Sequence, residues 1–416
     1  MRTNGAAADR RLVIVGGGPA ASRLARRVGP AAARSVTVLA EEPRPAYNRV
    51  LLADVLAGRY PAEVMELPRP PDAVRWHAGL RAVRIDRAAR RVLCHDGSSH
   101  PYDTLVLATG ANPLLPPLRG PHSPGAALPP GVRALRTLAD CDTLSAAVTP
   151  SAPAVVVGGG LLGVLAAAAL ARRGARVLLA QRAAHLLDRH LDPAAAALLR
   201  AHLAALGVEV HTECAVSALR TEPGTGAVRA VRPADGYEAE ARVVVLACGV
   251  RPRVALARDA GLPIGNAGGI VVDDLLTTAD PHVHAIGDCA EHSGVAYGLA
   301  GAALDQADTL AAALNGDRTA RYTGTRALVR LTLPDGPVPF DLAAFGLPVP
   351  APPDDTLRLA DATRGTYRSL VVRDDRLRGG VLVGDLGGVG HLARAWQTDD
   401  PLPAGPLLHL LGPETP

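Results

Sequence analysis

The sequence predicts a doubly wound α/β chain, with two strand–turn–helix–strand units and a small β-rich C-terminal domain. Three observations carry that expectation. LVIVGGGPAAS at 12–22 and VVVGGGLLGVL at 155–165 repeat one pattern: an apolar run, three glycines and an apolar stretch. Each is followed by a second apolar run, SVTVLAEE at 35–42 and ARVLLAQR at 175–182. After about residue 317 the texture turns β-rich and Pro-rich. With 416 residues, 48% of them apolar, the chain can bury several cores and suits two to four domains.

Residues 1–10 read as a loose terminus. RLVIV (11–15) is a short buried strand, GGGPAAS (16–22) a turn and RLARRV (23–28) a helix, and SVTVLAEE is a strand ending in two glutamates. Strand, glycine turn, helix and a strand ending in an acid form the βαβ nucleotide unit of Rossmann-like folds. Residues 74–104 read as short alternating strands around an HDGSS turn, and LVLATG (105–110) as a buried strand. Residues 111–132 are a Pro/Gly-rich connection. The second unit starts at Ala154, with AVVVGGG as strand and turn, LLGVLAAAALARRG as helix and ARVLLAQR as strand. DPAAAALLRAHLAALG (192–207) is a helix capped by Asp192, with Pro193 in its first position and Gly207 at its end. VVVLACG (243–249) echoes LVLATG, HVHAIGDCAE (282–291) is another buried strand ending at an acid, and PVPAPPDD (348–355) is a loop inside the C-terminal domain.

Composition removes several functions. The chain has no lysine, so all 44 basic residues are arginine. A pyridoxal-phosphate Schiff base and a Walker A lysine are both excluded. A net charge of +4 with scattered arginines and 3% aromatics gives no nucleic-acid footprint. The five cysteines, Cys94, Cys141, Cys214, Cys248 and Cys289, never fall in CxxC spacing, so no dithiol pair, zinc ribbon or iron–sulfur ligand set is readable. Their odd number and the lack of a signal peptide fit a reducing cytoplasm. The 18-residue apolar run Ala154–Ala171 carries a cluster of three glycines after a short β-branched run, which favours strand, turn and helix over a membrane span. His282, His284 and His292 have no carboxylate or cysteine set to complete a metal site, so no metal is expected.

The two glycine patterns carry the chemistry. Gly16, Gly18 and Ala21 give the GxGxxA form, with Ala20 beside it, and Gly158, Gly160 and Gly163 give GxGxxG. The first glycine makes a tight turn, the second admits a pyrophosphate to backbone N–H groups at the helix N-terminus, and the third allows close helix–strand packing. Two such cradles imply two dinucleotides, and so electron transfer between FAD and NAD(P)H. Glu41 stands about where a carboxylate should meet the adenosine ribose, with Glu42 as the alternative.

This arrangement resembles the pyridine nucleotide-disulfide oxidoreductase superfamily, in which an NAD(P) unit is inserted into the FAD domain. The resemblance implies an FAD-binding domain over 1–118 and 248–316, an NAD(P)-binding domain over 119–247 and a C-terminal domain over 317–416. LVLATGANP and VVVLACGVRP look like the family's two interdomain crossings, which brings in Thr109, Gly110 and Gly249. AIGDCAE looks like its closing FAD motif, with Asp288 accepting from the ribityl chain and the helix start near Ala300 facing the flavin. Arg49, the Ala82 backbone and Arg136 fall where family members contact FAD. Within the superfamily the chain is most similar to the flavoprotein part of NAD(P)H nitrite reductase large subunits and of assimilatory nitrate reductase electron-transfer subunits. PAYNRVLLADVLAG (45–58), RHLDPAAAALLRAHL (189–203), SGVAYGLAGAALDQA (293–307) and RGTYRSLVVRDDRLRGGVLVGD (364–385) carry that likeness. Larger members of that group continue into iron–sulfur and siroheme domains, for which this sequence holds no cysteine set, so it is expected to act as a stand-alone flavoprotein.

The expected reaction is hydride transfer from NADPH or NADH to FAD, then electron delivery to a separate protein or small-molecule acceptor. No side chain is required as a general acid, and none is assigned as catalytic. Disulfide reductases and NADH oxidases of the superfamily place cysteine in the stretch equivalent to 50–58; VLLADVLAG has none, so no disulfide-reductase activity is expected. Leu165 stands where the family writes glutamate, and Asp54 where ferredoxin-reductase-type members carry lysine. RVLLAQR ends in Gln181, where NAD-binding relatives often have an acid, and Arg182 could pair with a 2′-phosphate. NADPH is therefore expected to bind at least as well as NADH, with slow flavin reduction. The alternatives are an FAD-binding subunit with a degenerate nicotinamide site, or a flavin-dependent tailoring enzyme. The sequence leaves monomer and homodimer both open.

Overall fold

The computed structural model describes residues 10–28, 34–119, 128–234, 236–402 and 410. The expected loose terminus, Arg10 apart, and residues 120–127 of the expected connection lie outside these. The chain forms two compact units: residues 1–51, 62–112 and 250–325 make the first, and 52–61, 113–249 and 326–416 the second.

The first unit is built on a five-stranded parallel sheet in the order Val283–Ala285, Thr104–Leu107, Arg10–Val15, Arg34–Ala40, Val74–Ala78. Leu12, Val13, Ile14 and Val15 are all buried, as expected of a central strand covered on both faces. The chain leaves this strand in one direction for Arg34–Ala40 and Val74–Ala78 and in the other for Thr104–Leu107. That reversal is a topological switch point, where ligands of open α/β sheets bind. The helix Pro19–Val28 buries Ala20, Ala21, Leu24, Ala25 and Val28, and it packs beside the helix Ala300–Leu314. Arg23 clamps Asp308 of that second helix with two hydrogen bonds of 2.6 and 2.8 Å. An antiparallel meander, Ala82–Asp86, Arg91–Cys94 and Ser99–Pro101, completes the expected alternating strands.

The second unit repeats the plan: Val208–His211, Arg176–Ala180, Pro153–Val157, Val243–Leu246, Val132–Ala134, all parallel. Its helix Leu161–Arg172 buries Gly163, Val164 and Ala166 to Leu170. Four successive alanines keep that buried face thin. The apolar run from 154 is thus strand, turn and a 12-residue helix. No helix among the described residues is long and apolar enough to cross a membrane. Asp192 caps Pro193–Ala205 through 2.9 Å bonds from the Ala194 and Ala195 N–H groups, as its position before proline predicts. The C-terminal segment, in the same unit, is an antiparallel five-stranded sheet ordered Val329–Leu333, Phe340–Gly346, Arg376–Val383, Thr366–Arg373, Asp355–Asp361. The helix Val389–Thr398 packs on it.

Two sequence readings change. The first helix begins at Pro19 rather than Arg23, because proline fits the first helical position and the turn needs only three glycines. The expected strand over 282–291 is two strands, Val283–Ala285 and Ala290–His292, in different sheets. The turn Gly287–Cys289 separates them and sets Asp288 at a bend.

Candidate functional site

Gly16 follows the central strand of the first unit with φ +125°. Its N–H donates to Leu39 O at 2.9 Å, and an added Cβ would collide with the Ala108 carbonyl of the neighbouring strand. Gly17 is closed by Ala40 and Trp76, where a Cβ would lie 2.6 Å from the alanine methyl. Gly18 differs: a Cβ there meets nothing within 4 Å. The turn is therefore shut against the sheet and open at its second motif glycine, beside the first turn of a helix. That is the shape a pyrophosphate requires.

The second unit reproduces this. Gly158 has φ +108°, its N–H donates to Ala180 O at 2.8 Å, and a Cβ would strike the Ala247 carbonyl. Gly159 is closed by Leu186 and Gln181, while Gly160 opens on free space. A Cβ at Gly163 would run into the Gly158 carbonyl, whereas Ala21 at the matching place is fully buried without conflict. Gly160 caps Leu161–Arg172 and Leu299 caps Ala300–Leu314 with no side-chain bond. The helices Leu138–Ala147 and Pro193–Ala205 are both side-chain capped, by Thr137 and Asp192. No capping side chain therefore takes the first N–H groups of Leu161–Arg172 or Ala300–Leu314, which is also so at Val389–Thr398.

Around the first cradle, Glu41 is exposed at the end of Arg34–Ala40, with Arg253 Nη1 2.6 Å from Oε2 and Arg81 Nε 4.0 Å from Oε1. Glu42 is engaged elsewhere. It accepts from Tyr47 Oη at 2.7 Å and pairs with Arg49, whose guanidinium lies 5.0 Å from the Tyr47 ring centre. Of the two glutamates, Glu41 keeps an oxygen available for a hydroxyl. Ala82 is buried at the head of the meander. Thr109 Oγ1 donates to Arg253 O at 2.6 Å, and Gly110 O accepts from Arg253 N–H at 2.9 Å. Asp288 is half-buried in its bend, and Ala300 is exposed at its helix start. Gln306, which the sequence reading missed, is buried and accepts the Gly287 N–H at 2.6 Å, holding the bend that carries Asp288.

Around the second cradle, matching hydrogen bonds set the correspondence between units. Leu39 O and Ala180 O play one role, so Gln181 corresponds to Ala40 and Arg182 to Glu41. Gln181 is buried, and its Oε1 accepts the Gly159 N–H at 2.9 Å while Nε2 donates to Asp188 at 3.2 Å. Its amide braces the turn. Arg182 is exposed and, among the described residues, forms no ion pair. Gly249 O accepts from Leu114 N–H, and Cys248 donates its thiol to Val157 O at 3.4 Å. Burial pushes the Cys248 thiol pKa up, against the lowering charge of Arg182. Arg136 N–H donates to Asp140 in the capping box that starts Leu138–Ala147.

The remaining candidates have structural partners. Cys289 is fully buried; its thiol donates to Leu107 O and Ile286 O, and burial raises its pKa. Burial pushes Cys141 up to about 12. His282 meets Arg90, His284 meets Thr277 and His292 meets Asp274, three different partners. Asp54 is bound by Arg59 at 2.7 Å, and Arg59 also pairs with Asp335, which Arg172 holds at 2.7 Å. Asp54, the position that the resemblance matches to a lysine of ferredoxin-reductase-type members, is thus one end of an acid–arginine chain.

These features can be set beside known proteins. Residues 10–307 match the family model described as pyridine nucleotide-disulphide oxidoreductase. The chain is 33% identical over 386 residues to the nitrite reductase [NAD(P)H] of Bacillus subtilis, covering 90% of this chain and 46% of that protein. It is 30% identical to the assimilatory nitrate reductase electron transfer subunit of the same organism, covering 90% and 48%. It spans about half the length of these relatives. Among solved structures it resembles the covalent putidaredoxin reductase–putidaredoxin complex, with a TM-score of 0.83 and 27% identity over 98% of this chain and 96% of that one. The chain belongs to the pyridine nucleotide-disulphide oxidoreductase family, the FAD- and NAD(P)H-dependent oxidoreductases.

Proposed function

We propose that the first unit holds FAD, that the second holds NADPH or NADH, and that the chain passes their electrons to a separate protein acceptor of the nitrite reductase, nitrate reductase or ferredoxin type. The observation that carries this is the pair of glycine turns, each closed against its sheet and open at Gly18 or Gly160. Bound there, FAD would supply the redox chemistry that links a nicotinamide hydride donor to an electron acceptor. The chain's own residues bind and orient. Gly16 and Gly18 admit the pyrophosphate, Glu41 accepts ribose hydroxyls, Asp288 accepts from the ribityl chain, and Gln306 fixes the Asp288 bend. Thr109, Gly110, Arg49 and the Ala82 backbone complete the FAD side, with Arg136 assigned there by family likeness. Gly158, Gly160, Gly163, Gly249 and Arg182 serve the nicotinamide nucleotide. The proposed limits remain 1–118 and 248–316 for FAD, 119–247 for NAD(P) and 317–416 for the C-terminal domain.

A second reading, an FAD protein with a degenerate nicotinamide site, is favoured by Leu165 and by the Asp54–Arg59 pair. Anaerobic titration of the yellow protein with NADH and then NADPH separates the two. The expected result is bleaching of the visible flavin band by nucleotide, without a long-wavelength thiolate band, since 50–58 holds no cysteine and burial raises the Cys289 thiol pKa. Bleaching by dithionite but by neither nucleotide would sink the first reading and leave the second.

Asp288→Ala is expected to purify folded but with most of its flavin lost, because the half-buried carboxylate is proposed to serve the cofactor. Losing hydrogen bonds to a charged acceptor costs about 1.5–3 kcal/mol each, or ten- to 100-fold in affinity. A variant that stays fully yellow through gel filtration contradicts the assignment.

A further inference from the structure

Arg253 touches three of the residues assigned to FAD. Its N–H donates to Gly110 O at 2.9 Å, its carbonyl accepts from Thr109 Oγ1 at 2.6 Å, and its guanidinium lies 2.6 Å from Glu41 Oε2. Glu41 stands at the end of Arg34–Ala40 and Thr109 just beyond Thr104–Leu107, strands on opposite sides of Arg10–Val15. Arg253 therefore spans the open ends of the strands that flank the cradle. We propose that Arg253 is a positioning residue for the adenosine half of FAD, acting through Glu41. This rests on the reading of the first unit as the FAD site.

Three physical points support it. The backbone of Arg253 is fixed at both its N–H and its carbonyl, so the guanidinium extends from a set base. It takes one carboxylate oxygen, while Oε1 lies 4.0 Å from Arg81, so acceptor capacity remains for a hydroxyl. The pair also offsets charge. A lone Glu41 would repel a cofactor carrying a diphosphate, whereas a Glu41 between two arginines keeps its acceptor geometry without net negative charge. Both partners are about two-fifths exposed, 41% and 44%, so the pair itself contributes little to folding. Its presence is better explained by what it orients.

The test uses the full-length protein stripped of flavin and titrated with FAD, with ADP (adenosine and pyrophosphate only) and with FMN (no adenosine). Arg253→Ala is expected to weaken FAD and ADP about five- to tenfold and to leave FMN within twofold, at an unchanged melting temperature. Arg253→Gln should behave the same way. Glu41→Gln should weaken FAD and ADP similarly, and adding Arg253→Ala to it should cost nothing more, because one acts through the other. FAD bound equally well or better by Arg253→Ala overturns the proposal, as does a parallel loss of FMN, which marks a general structural role. Full additivity of the two changes also overturns it, since Arg253 would then act independently of Glu41. If the unmodified apoprotein takes up neither FAD nor ADP, the underlying FAD reading fails, a result distinct from these.

Discussion

Valine at Gly18 is expected to give a folded protein without flavin, and valine at Gly160 a yellow protein that nicotinamide nucleotides no longer reduce. The case rests on the contrast inside each turn. A side chain at Gly16, Gly17, Gly158 or Gly159 would strike the protein itself, so a change there disturbs fold and ligand together. At Gly18 and Gly160 an added Cβ meets nothing within 4 Å, and neither residue has positive φ. Gly160, at φ −76° and ψ −177°, already has backbone that any residue adopts. Whatever these variants lose is therefore the approach of a ligand to backbone N–H groups at a helix start. Two charge-assisted bonds of about 1.5–3 kcal/mol each make that loss more than 100-fold in affinity. Gly163→Ala is the contrasting control. Its Cβ would meet the Gly158 carbonyl, so it should lower the melting temperature as well as nucleotide binding. Flavin content after gel filtration and anaerobic nucleotide titration check both variants. A Gly18→Val protein that keeps a full complement of FAD would show that the first cradle is not a pyrophosphate site.

What could be read before folding was local. Each glycine spacing encodes a turn completed within seven residues, and the Asp192–Pro193 start encodes a cap completed within four. Such features need no knowledge of the rest of the chain. The two central strands were equally legible, because strands buried on both faces are continuous apolar runs. Arg253 and Gln306 carried no such signal. Arg253 meets Thr109 across 144 residues, and Gln306 meets Gly287 from a helix whose sequence shows only alanine-rich periodicity. Long-range polar pairs leave no pattern within a window. The break in HVHAIGDCAE was hidden for a related reason: the apolar residues on each side of Gly287 suit one strand or two, and only sheet pairing decides. At the end of RVLLAQR, composition points to the first polar residue, Gln181, as the successor of an acid. The hydrogen-bond ladder moves that correspondence by one residue. A shift of one reverses which side chain turns inward, so Gln181 braces the turn and Arg182 faces out.

That single-residue shift leads to the second large effect. Arg182→Ala is expected to lower kcat/KM for NADPH about ten- to 100-fold while changing the value for NADH less than twofold. Arg182 stands where Glu41 stands in the first unit, and among the described residues no carboxylate claims it. A guanidinium so placed can pair in bidentate fashion with a 2′-phosphate but has little to offer a 2′-hydroxyl. The loss of a charged hydrogen-bonding partner, about 1.5–3 kcal/mol, sets the size of the effect. The same pairing fixes its dependence on conditions. A phosphate monoester gains its second negative charge as pH rises through about 6, so the preference for NADPH should be largest above that pH and shrink below it. It should also shrink as salt rises, since an exposed pair is screened over a Debye length of about 10 Å at 0.1 M. Arg182→Glu should go further and reverse the preference, because a carboxylate repels the phosphate and accepts from both ribose hydroxyls. Gln181→Ala serves as the internal check. Removing the amide that accepts the Gly159 N–H should weaken both nucleotides together, leaving their ratio unchanged. Equal losses for NADH and NADPH in Arg182→Ala, measured by stopped-flow reduction at low salt, would show that Arg182 does not read the 2′-phosphate.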